Sequence, residues 1–391
     1  MGRLKRTFCD ALVALANCER QLDPYFRDGF DRVAQRPLAA ATQAVIGWTR
    51  SDPKGLGAAE ERALPGEERI TGEIVAAMSA FLRNTYPHGH ALRAGNTKTY
   101  GVVRGELRVH ADLPPRYRHG VFQPGRRHPV WVRFGGPGPL APPDPKDNGV
   151  LSIGIKLMGV EGEKLLDDER FTQDFTGISA PTFTTPNVAE NLKLQRQLEQ
   201  GTPVWYFVNP LDSHLLDGIM QGLYARLNTS PLEVTYWSCV AYLLGPGQAM
   251  HYLVRPRSQA RTPIPRPPGP DYLRQAMAAT LAREEVRFDF MIQLQGDPWR
   301  MPIENAAVRW SETESVPEAV AELVLPPQRF DSAAQLAFAG NLSYNPWHSL
   351  PEHRPLGNQN RARRTIYQEL SRLRQRMDGE AHIEPTGEET F

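Results

Sequence analysis

The chain has 391 residues, a length that suits two or three domain-equivalents or one large β-rich domain. Its 45 basic and 44 acidic side chains leave a formal net charge of +1, so no whole-molecule field draws in nucleic acid or an anionic membrane. Apolar residues make up 40% and charged residues 23%, and the 35 Pro and 32 Gly stay below the level that marks disorder, which leaves a loop-rich globular protein.

The amino terminus starts basic at Arg3, Lys5 and Arg6, but Asp10, Glu19 and Arg20 interrupt the apolar stretch after them, unlike a cleaved signal. Gly2 lacks the Ser or Thr at position 6 that myristoylation wants. The longest apolar runs, 204–208 and 239–244, are strand-sized and far short of a membrane span. Three cysteines, Cys9, Cys18 and Cys239, show no metal-type spacing, and the expected setting is reducing and cytoplasmic.

From residue 7 to about 86 apolar residues recur at three- and four-residue spacings, as in Ile74, Met78, Phe81 and Leu82, which predicts helices. Asp52 to Gly57 and Pro65-Gly66 punctuate them. Past Tyr100 the pattern becomes short β-rich runs: Val102, Val103, Leu107 and Val109, then 130–134 and 150–158. Helices are predicted over 187–198 and 211–227, and strands over 233–244, 249–254, 286–295 and 319–325. Residues 255–270 form a cationic, Pro-rich connector expected as an extended surface strap. The closing stretch 361–377 carries Ile366, Leu370, Leu373 and Met377 at helical spacing, which predicts an amphipathic helix that packs this stripe on the barrel and leaves its arginines in water. The expected organisation is a helical region over 1–86 and a barrel domain with peripheral helices over 87–391. Alternating βα units are missing, so the predicted class is α+β on a closed antiparallel sheet. There is no Gly-rich phosphate loop, Gly-x-Ser-x-Gly elbow or His-Glu-x-x-His, and NTPase and hydrolase readings drop.

Four blocks together resemble the catalase superfamily, in particular its shorter bacterial catalase-like proteins. They are Arg93-Ala-Gly-Asn-Thr-Lys-Thr-Tyr-Gly101, Val130-Trp-Val-Arg-Phe134 followed by Gly154-Ile-Lys-Leu-Met-Gly159, Gln173-Asp-Phe-Thr-Gly-Ile178, and Asn341-Leu-Ser-Tyr-Asn-Pro-Trp-His348 running on to Leu356-Gly357. The resemblance implies a catalase-like antiparallel β-barrel with amino- and carboxyl-terminal helices, and haem b as cofactor. It places Tyr344 as the iron ligand, a phenolate that needs its pKa lowered. It assigns Arg93, Arg133 and Arg354 to the propionates and lets Phe134 and Phe183 line the pocket or simply fill the barrel. Alternatives stay open: Tyr344 as a buried aromatic, His348 or His353 as substitute ligands or structural residues.

Departures from the family pattern bear on the chemistry. The distal acid-base His falls on Asn96, beside Arg93, and an amide shuttles no proton. A second register would use His90. The distal Asn falls on Ile178, next to Ser179, and Gly340 and Asn345-Pro346 replace residues that support the ligand. The resulting expectation is a haem-dependent oxidoreductase or isomerase acting on organic hydroperoxides, or a weak peroxidase, with Asn96 and Arg93 on the distal side and little true catalase activity. The alternatives are a haem-free barrel that binds lipids, small ligands or partners, and a small catalase using His90. Peroxides or organic hydroperoxides are the expected substrates, with no nucleic-acid partner, no membrane span, and a homo-oligomer possible, since catalase relatives assemble through amino-terminal segments.

Overall fold

Alternation of side chains builds the centre of the molecule. In β1 (Thr99–Val109) and β2 (Arg127–Gly135), Val103, Leu107, Val109, Val130, Val132 and Phe134 enter one large core, while Val102 and Trp131 belong to a different cluster on the opposite face, as a pleated strand requires. The computed structural model describes residues 2–147 and 149–391; Met1, at the basic amino-terminal start, and Asn148 lie outside the described residues. The sheet continues with β3 (Ser152–Leu157), β4 (Gln173–Ile178), β5 (Tyr236–Trp237), β6 (Tyr242–Leu243), β7 (Ala249–Pro256), β8 (Val286–Leu294) and β9 (Glu318–Leu325).

Every pairing is antiparallel, in the order β5, β4, β3, β2, β1, β9, β8, β7, and β5 pairs with β7 to close eight strands into a barrel. β6 is a short addition beside β7. Closure leaves no long edge exposed. The α+β antiparallel barrel expected from the sequence is the fold observed. Its interior is filled by rings: Phe175 lies 5.0 Å from Phe290 and 5.1 Å from Tyr252, and Phe122 lies 5.5 Å from Phe290, centroid to centroid.

The helices are α1 (Gly2–Phe30), a π-helical turn (Asp31–Gln35), α2 (Arg36–Thr49), α3 (Glu67–Thr85), α4 (Val188–Glu199), α5 (Trp205–Val208), α6 (Leu215–Tyr224), α7 (Tyr272–Leu281), α8 (Ala333–Asn341) and α9 (Asn358–Asp378). No helix among the described residues is long and apolar enough to cross a membrane. The strand predicted over 233–244 is instead two two-residue strands, because the chain turns a corner at Cys239, whose φ is 59°. β4, α7 and α8 were not predicted as elements. The Pro-rich segment is held as a strap, with Thr262 donating to Glu233 and Lys98 donating to the Pro270 carbonyl.

α9 departs from its prediction in two ways. Its stripe of Ile366, Leu370, Leu373 and Met377 packs with Ile70, Ile74 and Leu82 of α3 and with Val188 and Leu192 of α4, so helices intervene between this stripe and the barrel. Its arginines are not all in water: Arg363 and Arg374 are buried, and Arg361 pairs with Glu61, Glu67 and Glu304. A residue type that is usually solvated goes inside here because each guanidinium finds several acceptors.

Candidate functional site

The candidate site lies on the outer wall of the barrel, where β2, β3 and β4 meet the segment after α8 and the end of α9. Tyr344 sits against β3 at Gly154. A Cβ built on Gly154 would be 2.8 Å from Cδ1 and 3.1 Å from Cγ of the ring, so the aromatic face rests on bare backbone. The Tyr344 hydroxyl donates to the Trp131 carbonyl at 3.4 Å. Burial, reinforced by Asp174, holds its pKa well above the ordinary phenol value despite the opposing influence of Arg93 and Arg133. Without a metal beside it, the side chain is held as a neutral phenol.

The three arginines assigned to propionates part company. Arg93 donates to the carbonyls of Ala339, at 3.1 Å, and Leu342. Arg374 joins it at the same place, donating to the carbonyls of Gly340, Asn341 and Leu342. Together they cap the end of α8, where unpaired carbonyls and the helix dipole favour cations. Arg133 donates to the Asn96 carbonyl at 2.8 Å and to Thr99 Oγ1. Burial lowers the pKa of Arg93 to about 10 and of Arg374 to about 9, and their mutual repulsion adds to the shift of Arg374. Arg133 is lowered for the same two reasons, burial first and Arg93 second. Arg354 is elsewhere, paired with Glu61 at 2.6 Å in the network that also holds Arg361.

The remaining sequence candidates are scattered. Asn96 takes a left-handed backbone conformation with φ of 47°, which Asn tolerates, and meets Arg133 through its carbonyl. Phe134 follows Arg133 in β2 and so points the other way, into the barrel, 6.0 Å from Tyr236; adjacent strand residues cannot face one ligand from the same side. Phe183 packs against that same interior core. Ile178 ends β4, paired with Ser152 and Trp237, and Ser179 Oγ accepts from the Leu151 amide. His88 and His90 are exposed. His353 is buried beneath Gly120, accepting from the Val121 amide, and burial lowers its pKa to about 3.

A charged cluster that sequence reading missed lies beside Tyr344. Lys156 is fully buried and pairs with Glu169 and, at 2.9 Å, with Asp174. His348 bridges Asp174 at 2.8 Å and Asp168 at 3.1 Å. Burial and Lys156 press the His348 pKa down, but Glu169, Asp168 and Asp174 outweigh them and raise it to about 9. Glu169, Asp174 and His348 converge as metal ligands would, yet the Lys156 ammonium already occupies that position electrically. The signal in the sequence was a lysine in the outward register of an otherwise apolar strand, Ile153-Gly-Ile-Lys-Leu157.

These residues do not fit a haem as they are arranged. A macrocycle between Tyr344 and the β3 wall needs about 3.5 Å of van der Waals clearance from that wall, and the Tyr344 ring already touches it at Gly154. Arg93, Arg133 and Arg354 have protein partners. Two pockets elsewhere, lined by Asp52, Trp299 and Glu304 and by Met78, Phe81 and Leu198, have cavity volumes of only about 20 and 10 Å³, against ~300 Å³ or more for a ligand site.

No protein-family model matches the chain, and no curated protein matches it. Solved structures do. A fungal catalase superposes with a TM-score of 0.57 at 14% identity, over 77% of this chain and 62% of its own, so this chain spans under two thirds of that protein. A bacterial catalase gives 0.57 at 15% identity, over 88% and 72%. Catalase A from Saccharomyces cerevisiae gives 0.58 at 13%, over 83% and 68%. The architecture is catalase-like; at this identity the likeness speaks for the fold alone.

Proposed function

We propose that this catalase-fold chain works without haem, as a binding or interaction protein in place of a peroxide-processing enzyme. The observation that carries the reading is the Tyr344 ring seated directly on Gly154. It puts a protonated phenol against the wall that a porphyrin would cover, and a buried neutral Tyr is a filler with a polar tip. In the register the resemblance implies, Asn96 and Ile178 take the distal positions and neither carries a proton, so the acid-base chemistry is lacking as well.

A second reading, a haem-dependent oxidoreductase or isomerase of organic hydroperoxides, has one observation in its favour. Arg93, Arg133 and Arg374 are neighbouring buried cations whose mutual repulsion an anionic group would relieve. It requires Tyr344 to leave Gly154 and the arginines to leave their carbonyls. The ultraviolet-visible spectrum of the purified protein, before and after hemin titration, separates the two. The expected result is no Soret band, no stoichiometric uptake, and no turnover of hydrogen peroxide or a fatty-acid hydroperoxide. A Soret band that Tyr344→Phe abolishes would overturn the haem-free reading.

A further inference from the structure

α4, α5 and α6 converge on a second charged cluster, away from the barrel wall. Glu190 lies in the first turn of α4, where the Asn187 side chain caps the helix by accepting from the Glu190 amide. The turn after α5 carries Asp212, and His214 leads into α6 with its own amide donating to the Phe207 carbonyl at 3.2 Å. His214 Nε2 is thereby set 3.0 Å from Glu190 Oε2 and 3.4 Å from Asp212 Oδ1. Two ligands each about 2.0–2.1 Å from a tetrahedral zinc ion stand about 3.3 Å apart, so this is the spacing of a ligand set. Glu190 Oε2 and His214 Nε2 are buried atoms that lack a hydrogen-bond partner among the described residues, close to one another but not aligned. Asp217 Oδ2 stands 3.7 Å from the other ring nitrogen, Nδ1, on the side from which a carboxylate orients a metal-binding imidazole.

An independent observation points the same way. Tyr206, on α5, is 3% exposed, and its ring stacks on His214 at 4.2 Å with the planes 2° apart. Its hydroxyl has no hydrogen-bond partner among the described residues. Burial, then Asp217, Glu190 and Asp212, hold its pKa well above the ordinary phenol value, so a proton is available to donate within the field of the cluster. A buried donor without an acceptor is costly and calls for a group that the protein itself does not supply. We propose that Glu190, Asp212 and His214 bind one Zn²⁺ ion, with a water molecule as the fourth ligand partnering the Tyr206 hydroxyl. One imidazole nitrogen beside two carboxylates selects zinc over magnesium and calcium, which take oxygen ligands. Lys193 spans Glu190 Oε1 at 3.0 Å and Asp212 Oδ2 at 2.8 Å, but its side chain is 44% exposed and can withdraw into water; Lys156 on the barrel wall is fully buried and has no such exit. Burial lowers the His214 pKa, yet Asp217, Glu190 and Asp212 outweigh it and raise it to about 9, which reflects how strongly this place draws a cation. On binding, the metal takes the place of the Nε2 proton, which leaves to solvent, and ties α4 to the turn before α6.

This inference goes beyond the haem-free reading and stands apart from it, since hemin uptake tests one and zinc binding the other. Calorimetry of the chelator-stripped full chain is expected to show one equivalent of Zn²⁺ bound in the presence of excess Mg²⁺, with a rise in melting temperature. Asp212→Asn, at a half-exposed side chain, should weaken binding at least about tenfold while leaving circular dichroism unchanged, and His214→Ala should abolish it. Lys193→Met removes the competing cation and should tighten binding. Tyr206→Phe should keep the metal-free melting temperature and reduce the rise that zinc produces. Absence of zinc binding, affinity indifferent to both Asp212→Asn and His214→Ala, binding lost instead when the exposed His88 and His90 are replaced by Ala, or weaker binding in Lys193→Met would each overturn the proposal.

Discussion

At the scale of single residues, the candidate site is governed by one absent side chain and one extra charge. Gly154 has no Cβ, and that vacancy is what lets the Tyr344 ring lie on β3. Gly154→Ala is therefore expected to destabilise the fold by about 1–3 kcal/mol through overpacking. Tyr344→Leu in the same chain should recover most of the loss in chemical denaturation; equal losses in the single and double variants would mean the contact is not the cause. His348 supplies a pH dependence. Its folded pKa of about 9 lies above the ordinary value near 6.5, so its stabilisation is complete below about pH 6.5 and drains away as pH rises through 9. The amount is about 3 kcal/mol at most, from the shift alone. Denaturation midpoints followed from pH 6 to 10 should fall in the wild type and flatten across that window in His348→Gln.

At the scale of elements, α8 explains why arginines typical of an anion site need no anion. The helix ends at Asn341 with its last carbonyls facing inward, and Arg93 and Arg374 arrive from opposite ends of the chain to satisfy them. Replacing Arg374 by Met removes donors from buried carbonyls, a loss of about 1–3 kcal/mol. Arg93 and Arg374 also repel one another, and each single replacement relieves that repulsion, so Arg93→Met combined with Arg374→Met should cost more than the sum of the two, measured as a double-mutant cycle. A sum that is strictly additive would show that the two cations do not share the cap. α9 follows the same logic: Arg363 is inside because Thr176 Oγ1, the Asn360 side chain and the Tyr367 hydroxyl receive it.

At the scale of the whole molecule, the barrel depends on a narrow closure. β4 meets β5 through Ile178 and Trp237 alone, and β5 meets β7 through two residue pairs, whereas β1 and β2 pair along nearly their whole length. The long strands were legible because period-two alternation in Val102 to Val109 and in 130–134 is a local signal, as was the order of motifs that pointed to a catalase-like barrel. β5 and β6 were not, because two-residue strands carry no periodicity and the corner at Cys239 depends on where the sheet must close. The site was legible only as residue types. Arg93, Arg133 and Tyr344 lie near one another, but which atoms they offer to a ligand depends on what else reaches them. Arg354 was misplaced because Glu61, nearly three hundred residues away, captures it.

What the amino-acid order determined by itself was the α+β class, the antiparallel barrel and the helical spacing of the amino-terminal region, since each of these is written in neighbouring or regularly spaced residues. Only the tertiary structure decided that the phenol of Tyr344 rests on Gly154, that helix carbonyls engage the arginines, that Lys156 is buried among carboxylates, and that His214 meets Glu190 and Asp212. Those outcomes turn on which distant surfaces meet, and contact between residues far apart in the chain leaves no period in the sequence from which to read it.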